Sequence, residues 1–411
     1  MQKKLIALAV AGLASTGAFA QANVTVYGVA DASFDVVKTS SAISDLGNTT
    51  RVSTNSSLIG FKGAEALGNG LTAVFQYESG VGFDNAGALG ATRDSFVGVA
   101  GGFGTVVLGN LTGPTRALGG AVDVNVGATG IGANSALLGK LGNMLVNTTN
   151  AAGSYPVSGP YYLDSKGNVT QGEAPNKACD RSSTCTSIFD TRWKNAVAYV
   201  SPTFAGLSAT VAYVANENKT FHNVGVAAAN TTGYDVGAKY ANGPVMAAVT
   251  YNAVSLGNDA GTNVSDFRVG GVYDFGMASV RALFDHARAN NTRTLGLTGN
   301  SYSQNVFGLG GTFNVTPAGK LLAQAYFARD VKEDGSSNKN SGAKLFEVGY
   351  EHSLSKRTML KAVYAHLNND DNAAYDFGIN AVGLNPATPV SGQTTTGATV
   401  QGIQLGLRHT F

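Results

Sequence analysis

The residue types that most often do covalent or metal chemistry are sparse here, and their spacing argues against it. The five histidines (His222, His286, His352, His366 and His409) are scattered, and no pair stands in an H-E-x-x-H or comparable ligand spacing. No G-x-S-x-G or P-loop pattern occurs. Gly101 to Gly104 is Gly-rich, but it lacks the lysine and the following helix that a phosphate cradle needs. The expectation is therefore no enzyme, no metal and no cofactor. The chemistry on offer is electrostatic. Charges fall on one parity of short alternating segments, among them Asp235, Lys239, Arg268, Arg281, Asp285, Glu347 and Arg408. Charges along a wet wall act by replacing part of a passing ion's hydration.

Those charges are positioned by strands. In the segment from Tyr234 to Tyr240, Tyr234, Val236, Ala238 and Tyr240 alternate with Asp235, Gly237 and Lys239. The same pattern recurs around Arg268 and Glu347, and period two is the strand signature. A soluble β-sandwich alternates as well, so the connections must decide. Short turn sequences lie at 66–70, 101–104, 201–206, 241–244, 274–276, 315–319 and 353–356. Between them run long polar stretches near 38–50, 84–91, 112–190, 217–230, 255–263, 290–301, 331–342 and 369–397. Seven turns and eight loops, sorted to opposite rims, join sixteen strands. A sandwich has no reason to sort its loops, whereas an antiparallel barrel in a membrane does. An even strand count also closes the sheet without an unpaired edge, which lipid does not tolerate.

The fold class expected is thus all-β: a 16-stranded antiparallel transmembrane β-barrel, with short periplasmic turns and long extracellular loops. A charge on the lipid side costs about 2–4 kcal/mol near the midplane, so the charged parity faces the lumen. Tyr77, Tyr213, Tyr240, Tyr251 and Tyr273 fall at strand ends on the apolar parity, as an interfacial girdle requires.

The first residues read as an export signal: Lys3 and Lys4, an apolar run from Leu5 to Ala14, and Ala18-Phe19-Ala20. Residues 1–20 are expected to be a secretory signal peptide, and 21–411 one barrel domain containing a long loop at 112–190. Removing those two lysines from 28 basic residues leaves them level with 26 acidic ones. A neutral chain has no field to gather nucleic acid, so no nucleic-acid partner is expected. Cys179 and Cys185 sit in one polar stretch of an exported chain and are expected to form a local disulfide; two free surface thiols are the alternative.

Four blocks carry a family resemblance: Val24 to Asp31 (VTVYGVAD), Ser57 to Tyr77 (SLIGFKGAEALGNGLTAVFQY), Arg93 to Asn110 (RDSFVGVAGGFGTVVLGN) with Pro114 beyond it, and the terminal LGLRHTF. In these the sequence resembles the general, non-specific porins of β-proteobacteria. The resemblance implies a homotrimer in the outer membrane of a Gram-negative bacterium, passing ions and small polar solutes by diffusion. It implies a third loop folded into the lumen as the constriction. It also implies contact with outer-membrane lipid and lipopolysaccharide, and insertion by the barrel-assembly machinery through a signal at Phe411. The family commonly carries arginine where this chain has Leu58, and often another near Val107 or Asn110, so the implied wall is less basic here.

The constriction is expected at Lys62, Arg93, Arg116, Asp123, Arg192 and Lys194, with Asp123 opposing a basic wall. Most of the other inward charges are expected to be solvated wall residues. Within the long loop, Leu137, Leu138, Leu141, Met144 and Leu145 follow helical spacing after Ser135, although Gly139 and Gly142 oppose a helix. Such a helix packs on the inner wall, the reading favoured, or else caps the loop outside. The small outward residues of the first strand, Val24, Val26, Gly28, Ala30 and Ala32, suit close approach between barrels. A hydrolase barrel, a plugged receptor and an adhesin remain the competing classes. The plugged receptor needs roughly twenty-two strands, and bilayer conductance separates the others.

Overall fold

A computed structural model describes residues 23–40, 47–83, 90–142, 161–163, 169–171, 187–217, 231–255, 263–291, 300–382 and 396–411. The alternating segments form sixteen barrel strands. These are β1 (Asn23–Ser40), β2 (Gly47–Thr54, then Leu58–Gly68), β3 (Leu71–Gly80), β4 (Ser95–Gly101), β5 (Gly104–Thr112), β6 (Arg192–Val200), β7 (Leu207–Val214) and β8 (Thr232–Asn242). There follow β9 (Val245–Ser255), β10 (Asn263–Asp274), β11 (Ala278–Asn290), β12 (Tyr302–Asn314), β13 (Gly319–Ala328), β14 (Ala343–Ser353), β15 (Thr358–Asn369) and β16 (Thr399–Thr410).

Each strand pairs antiparallel with the next, and β1 closes the ring by pairing Val29–Ser40 with Thr410–Thr399. β2 is broken where Ser56 takes a left-handed φ of 60°. Asp31 spans that break, since its N–H donates to Ser57 Oγ at 2.8 Å and its carbonyl accepts from Asn55 N–H at 2.8 Å. Beyond the last strand, Phe411 and Gly28 exchange two backbone hydrogen bonds of 3.1 Å. The ring of Phe411 lies where a Gly28 side chain would stand, 2.3 Å from the Cβ that any other residue would carry there. Only glycine fits that seam.

The two parities separate as physical cost demands. Ile403, Leu405 and Leu407 are each about half exposed, 50–55%, while Gly402 and Gln404 on the opposite parity are buried. Along β10, Phe267 and Val269 face out, and Arg268 is wholly buried. On several strands the outward side changes from apolar to polar near the long-connection rim: Phe284 to His286, Phe307 to Asn305, Phe327 to Arg329 and Phe346 to Lys344. These steps mark the upper edge of the lipid-facing band.

The helix of the long connection is not where the leucine spacing put it. It is α1, Pro114–Val122, with Pro114 at the first turn where its missing N–H is harmless. Asn134–Ala136 makes only a single 3₁₀ turn. Gly139, Leu141 and Gly142 have φ of 63°, 49° and 64°, which no α-helix accommodates. Leu137, Leu138 and Leu141 are nevertheless fully buried; Met144 and Leu145 lie outside the described residues. Leu118, Val122, Leu137 and Leu138 pack with inward side chains of the wall, including Leu283, Val306 and Tyr326.

Candidate functional site

The inner wall sorts into charges that fasten residues 113–142 and charges that remain along a basic ladder. Fastening begins at the start of α1. Asp235 on β8 accepts from Thr115 Oγ1 at 2.7 Å, from Thr115 N–H at 3.3 Å and from Trp193 Nε1 at 3.2 Å. A carboxylate at the amino end of a helix complements its dipole as well as its unpaired N–H groups. Gly113 and Gly237 make the approach feasible. A Cβ on Gly113 would stand 2.0 Å from Asp235 Oδ2, and one on Gly237 would stand 2.7 Å from Pro114 Cβ.

Arg268 on β10 forms the second fastening. Its guanidinium donates to Asp285 at 2.8 Å, Asp190 at 3.0 Å, Asp266 at 3.3 Å and the Thr115 carbonyl at 3.2 Å. The planar fork of arginine serves four acceptors at once, which a lysine does not match. Asp285 accepts in addition from Gly139 N–H at 3.0 Å. The expectation that Asp235, Arg268, Arg281, Asp285 and Glu347 are solvated wall residues is corrected here. The segment 113–142 covers all but the partly buried Arg281, and Arg281 itself donates to the Asp123 carbonyl.

Asp123 is corrected for the same reason. It ends α1 at 1% exposure and does not present a charge to an open lumen. It accepts from Asn134 N–H at 2.7 Å, Asn125 N–H at 2.8 Å, Asn125 Nδ2 at 3.0 Å and Gln324 Nε2 at 3.2 Å. Burial raises its carboxyl above the usual range, and those hydrogen bonds pull it back. Lys194 is the other correction. Asn195 (φ 54°) is an extra residue in β6 relative to β5, where Gly109 and Leu111 oppose Ala196 and Trp193. The bulge flips the alternation, so the inward residue is Trp193 and Lys194 is exposed.

The remaining expected residues do come together. Lys62 Nζ lies 4.9 Å from the centre of the Tyr27 ring. Tyr27 Oη donates to Glu78 at 2.7 Å, and Glu78 pairs with Arg93 at 3.4 Å. Asn110 Nδ2 holds the Arg93 carbonyl at 2.8 Å. Arg192 pairs with Asp94 at 3.3 Å, and Asp94 is fixed by Thr112 N–H and Oγ1 at 2.6 and 3.0 Å. Arg116 on α1 completes the ladder: burial, then repulsion by Arg192, lowers its affinity for a proton. A guanidinium keeps its proton at neutral pH even so. Lys62 and Arg116 enter no ion pair among the described residues. Leu58 and Val107, where the resemblance implied arginine, are buried and apolar.

Farther along β1 the charges are matched. Asp31 is held by Lys361 at 2.9 Å and Arg408 at 2.8 Å. Asp35 pairs with Arg51 at 3.2 Å, and Arg51 also donates to the Asn380 and Ala381 carbonyls at 2.5 and 2.7 Å. That anchors residues 373–382 of the last connection, whose Tyr375 and Phe377 join the same apolar cluster as Leu137 and Leu138. Lys140 is sealed between the two connections, 3.5 Å from the Asp376 carbonyl and 6.0 Å from the Tyr375 ring. Burial pushes it down to about 7, against the pull of Asp376. Sequence reasoning had no signal for these fastenings, because Thr115 and Asp235 are 120 residues apart. Cys179 and Cys185 lie outside the described residues. No group of three or more His, Cys, Asp or Glu side chains suited to a metal occurs among the described residues.

Comparison with known proteins agrees with this geometry. A model of the Gram-negative porin family matches residues 7–372. The chain is 28% identical, over 417 aligned residues covering all of both sequences, to outer membrane porin protein 32 of Delftia acidovorans. Its backbone superposes on the anion-selective porin from Comamonas acidovorans with a TM-score of 0.69 at 24% identity, covering 95% of this chain and 100% of that one. OmpT of Vibrio cholerae, in its trimer form, gives 0.59 at 13% identity, covering 95% and 99%. A closed sixteen-stranded barrel, a charged inner wall and a family match over most of its length together establish that the chain belongs to the Gram-negative porins.

Proposed function

We propose that this outer-membrane porin, a channel for passive diffusion of small hydrophilic solutes, favours anions modestly as they pass the ladder of Lys62, Arg93, Arg192 and Arg116. The observation that carries this is the charge balance on that ladder. Two of its cations are matched by Glu78 and Asp94, and two are not. Hydrated charges about 4 Å apart interact by only ~1 kcal/mol in bulk water and more near a protein surface, so a small surplus gives a preference and not a filter. The Comamonas porin is itself described as anion-selective. Segment 113–142 acts as the constriction, with Ala117, Gly120 and Ala121 on the exposed side of α1 keeping the bore open.

The test is reversal potential across a planar bilayer in a salt gradient. Wild type is expected on the anion side, with Arg116→Gln and Arg93→Gln each moving it toward cation preference. No movement with either variant overturns the assignment.

The same reading makes residues 1–20 a leader, Cys179 and Cys185 a local disulfide, Phe411 part of the signal read by the barrel-assembly machinery, and lipid with lipopolysaccharide the surroundings. It makes the assembly a homotrimer. Ala30 and Ala32 leave a flat outward strip on β1, and the OmpT structure is a trimer form. A single slow band on an unheated detergent gel supports this; a monomer under those conditions refutes it.

A further inference from the structure

Asn252 on β9 is wholly buried, yet neither its amide oxygen nor its amide nitrogen has a hydrogen-bond partner among the described residues. A buried polar group left unpaired is costly, so each one calls for a physical explanation. Register supplies its neighbours. Asn252 stands opposite Asp235 of β8 on one side and opposite Asp266 of β10 on the other. The three side chains project inward from adjacent strands, and all three are 0% exposed. Asn252 is thus aimed between two carboxylates.

The carboxylate oxygens around it are taken, with one exception. Asp235 accepts from Thr115 Oγ1 and Trp193 Nε1, Asp285 from Arg268 and the Gly139 N–H, and Asp190 from Arg268 and Ser187 Oγ. Asp266 offers Oδ2 to Arg268 at 3.3 Å, while its Oδ1 is buried and has no partner among the described residues. An unpartnered amide therefore stands beside an unpartnered carboxylate oxygen. The charge is out of balance in the same direction. Four buried carboxylates, those of Asp190, Asp235, Asp266 and Asp285, face the guanidinium of Arg268 and that of Arg116 beside Asp190. Two negative charges are left over, in an enclosure walled by the buried rings of Phe189 and Trp193. Buried charge is normally paired or bound to a metal ion.

We propose that Asn252 Oδ1 and Asp266 Oδ1, with Asp235 alongside, form a site for a hydrated divalent cation of the calcium class, held between the barrel wall and residues 113–142. Oxygen donors suit a hard cation, and calcium accepts an irregular shell completed by water. Two carboxylates and one amide bring fewer charges than a tight calcium cage, so affinity falls in the range of about 10⁻⁴–10⁻³ M, as in extracellular calcium modules. The cation stands beside both fastenings of the segment, Asp235 at Thr115 and the Arg268 fork, and its binding holds the constriction more firmly.

Full-length protein, refolded in detergent without lipopolysaccharide and treated with a chelator, is titrated with Tb³⁺ and excited through Trp193. That is the one tryptophan of the chain, and its Nε1 lies 3.2 Å from Asp235. Wild type is expected to give saturable lanthanide emission that Ca²⁺ displaces. Asn252→Leu should weaken binding about tenfold or more, and Asn252→Asp, which adds a charged ligand, should tighten it by about as much. Absence of tryptophan-sensitised emission from wild type overturns the proposal whatever the variants do. Emission that Ca²⁺ does not displace, or that Asn252→Leu leaves unchanged, overturns it as well. Should Asn252→Leu fail to fold, Asn252→Asp decides, and affinity no tighter than wild type refutes the site. The temperature at which the unheated gel band is lost gives a second readout: Ca²⁺ should raise it in wild type and not in Asn252→Leu. Loss of heat stability in Asn252→Leu that is equal with and without Ca²⁺ assigns the amide to a direct hydrogen bond with Asp266 and overturns the cation.

Discussion

Replacing Arg268 with methionine should loosen the segment inside the barrel while leaving the barrel standing. The guanidinium is wholly buried and has three carboxylates within 3.3 Å, besides the Thr115 carbonyl. Methionine fills much of the volume but leaves those carboxylates facing one another without a cation. Removing one partner of a buried ion pair typically costs about 3–5 kcal/mol. At about 1.4 kcal/mol per decade, the ratio of fastened to released segment falls by roughly two to three and a half orders of magnitude. The backbone ladder between β9, β10 and β11 does not depend on the side chain, so circular dichroism and the unheated gel band should be unchanged. Single-channel recordings should show larger and noisier conductance steps, and Arg268→Lys, which keeps the charge without the fork, should fall between. Steps of wild-type size and noise in the methionine variant would refute the idea that Arg268 fastens α1.

Further expectations follow from other contacts. Gly28→Val places a side chain against the Phe411 ring and the Leu58 carbonyl, 2.3 and 2.8 Å from its Cβ. Overpacking of this kind costs about 1–3 kcal/mol, so less protein should reach the membrane in heat-modifiable form, and wild-type yield would count against the seam. Lys140 is protonated below about 7 in the folded protein but up to its ordinary 10.5 when unfolded. Between those values the unfolded chain binds the extra proton, so packing of residues 134–142 on 373–382 tightens as pH rises from 7 toward 10 and has lost that gain below 7. Proteolysis of the two connections should accordingly be slower at pH 9 than at pH 6.5 in wild type, and Lys140→Met should flatten the difference; an equal slope in both proteins excludes Lys140 as its source.

The positions of strands, turns and rims were readable in the sequence because each follows from a local rule. The pair Arg268 and Val269 shows it: one step along a strand exchanges lumen for lipid, and a charge tolerates only one of them. Lys194 shows the limit of the rule, since a single extra residue at Asn195 reversed the alternation. The helix was misplaced because leucines that pack on a wall need no helical backbone. Leu137, Leu138 and Leu141 are buried from a chain that turns at Gly139 and Gly142.

Taken by itself, the sequence determined the barrel, its sixteen crossings, the sides of its strands and the girdle of rings, because lipid and water impose a repeating cost on neighbouring residues. Only the tertiary structure decided which inward charges serve passage and which serve fastening. Asp235 and Arg93 look alike in an alternating string, yet the first ties down Thr115 across 120 residues and the second lies on the basic ladder with Glu78 and Asn110. Contacts of that separation depend on where the chain between them returns, and no local spacing records it.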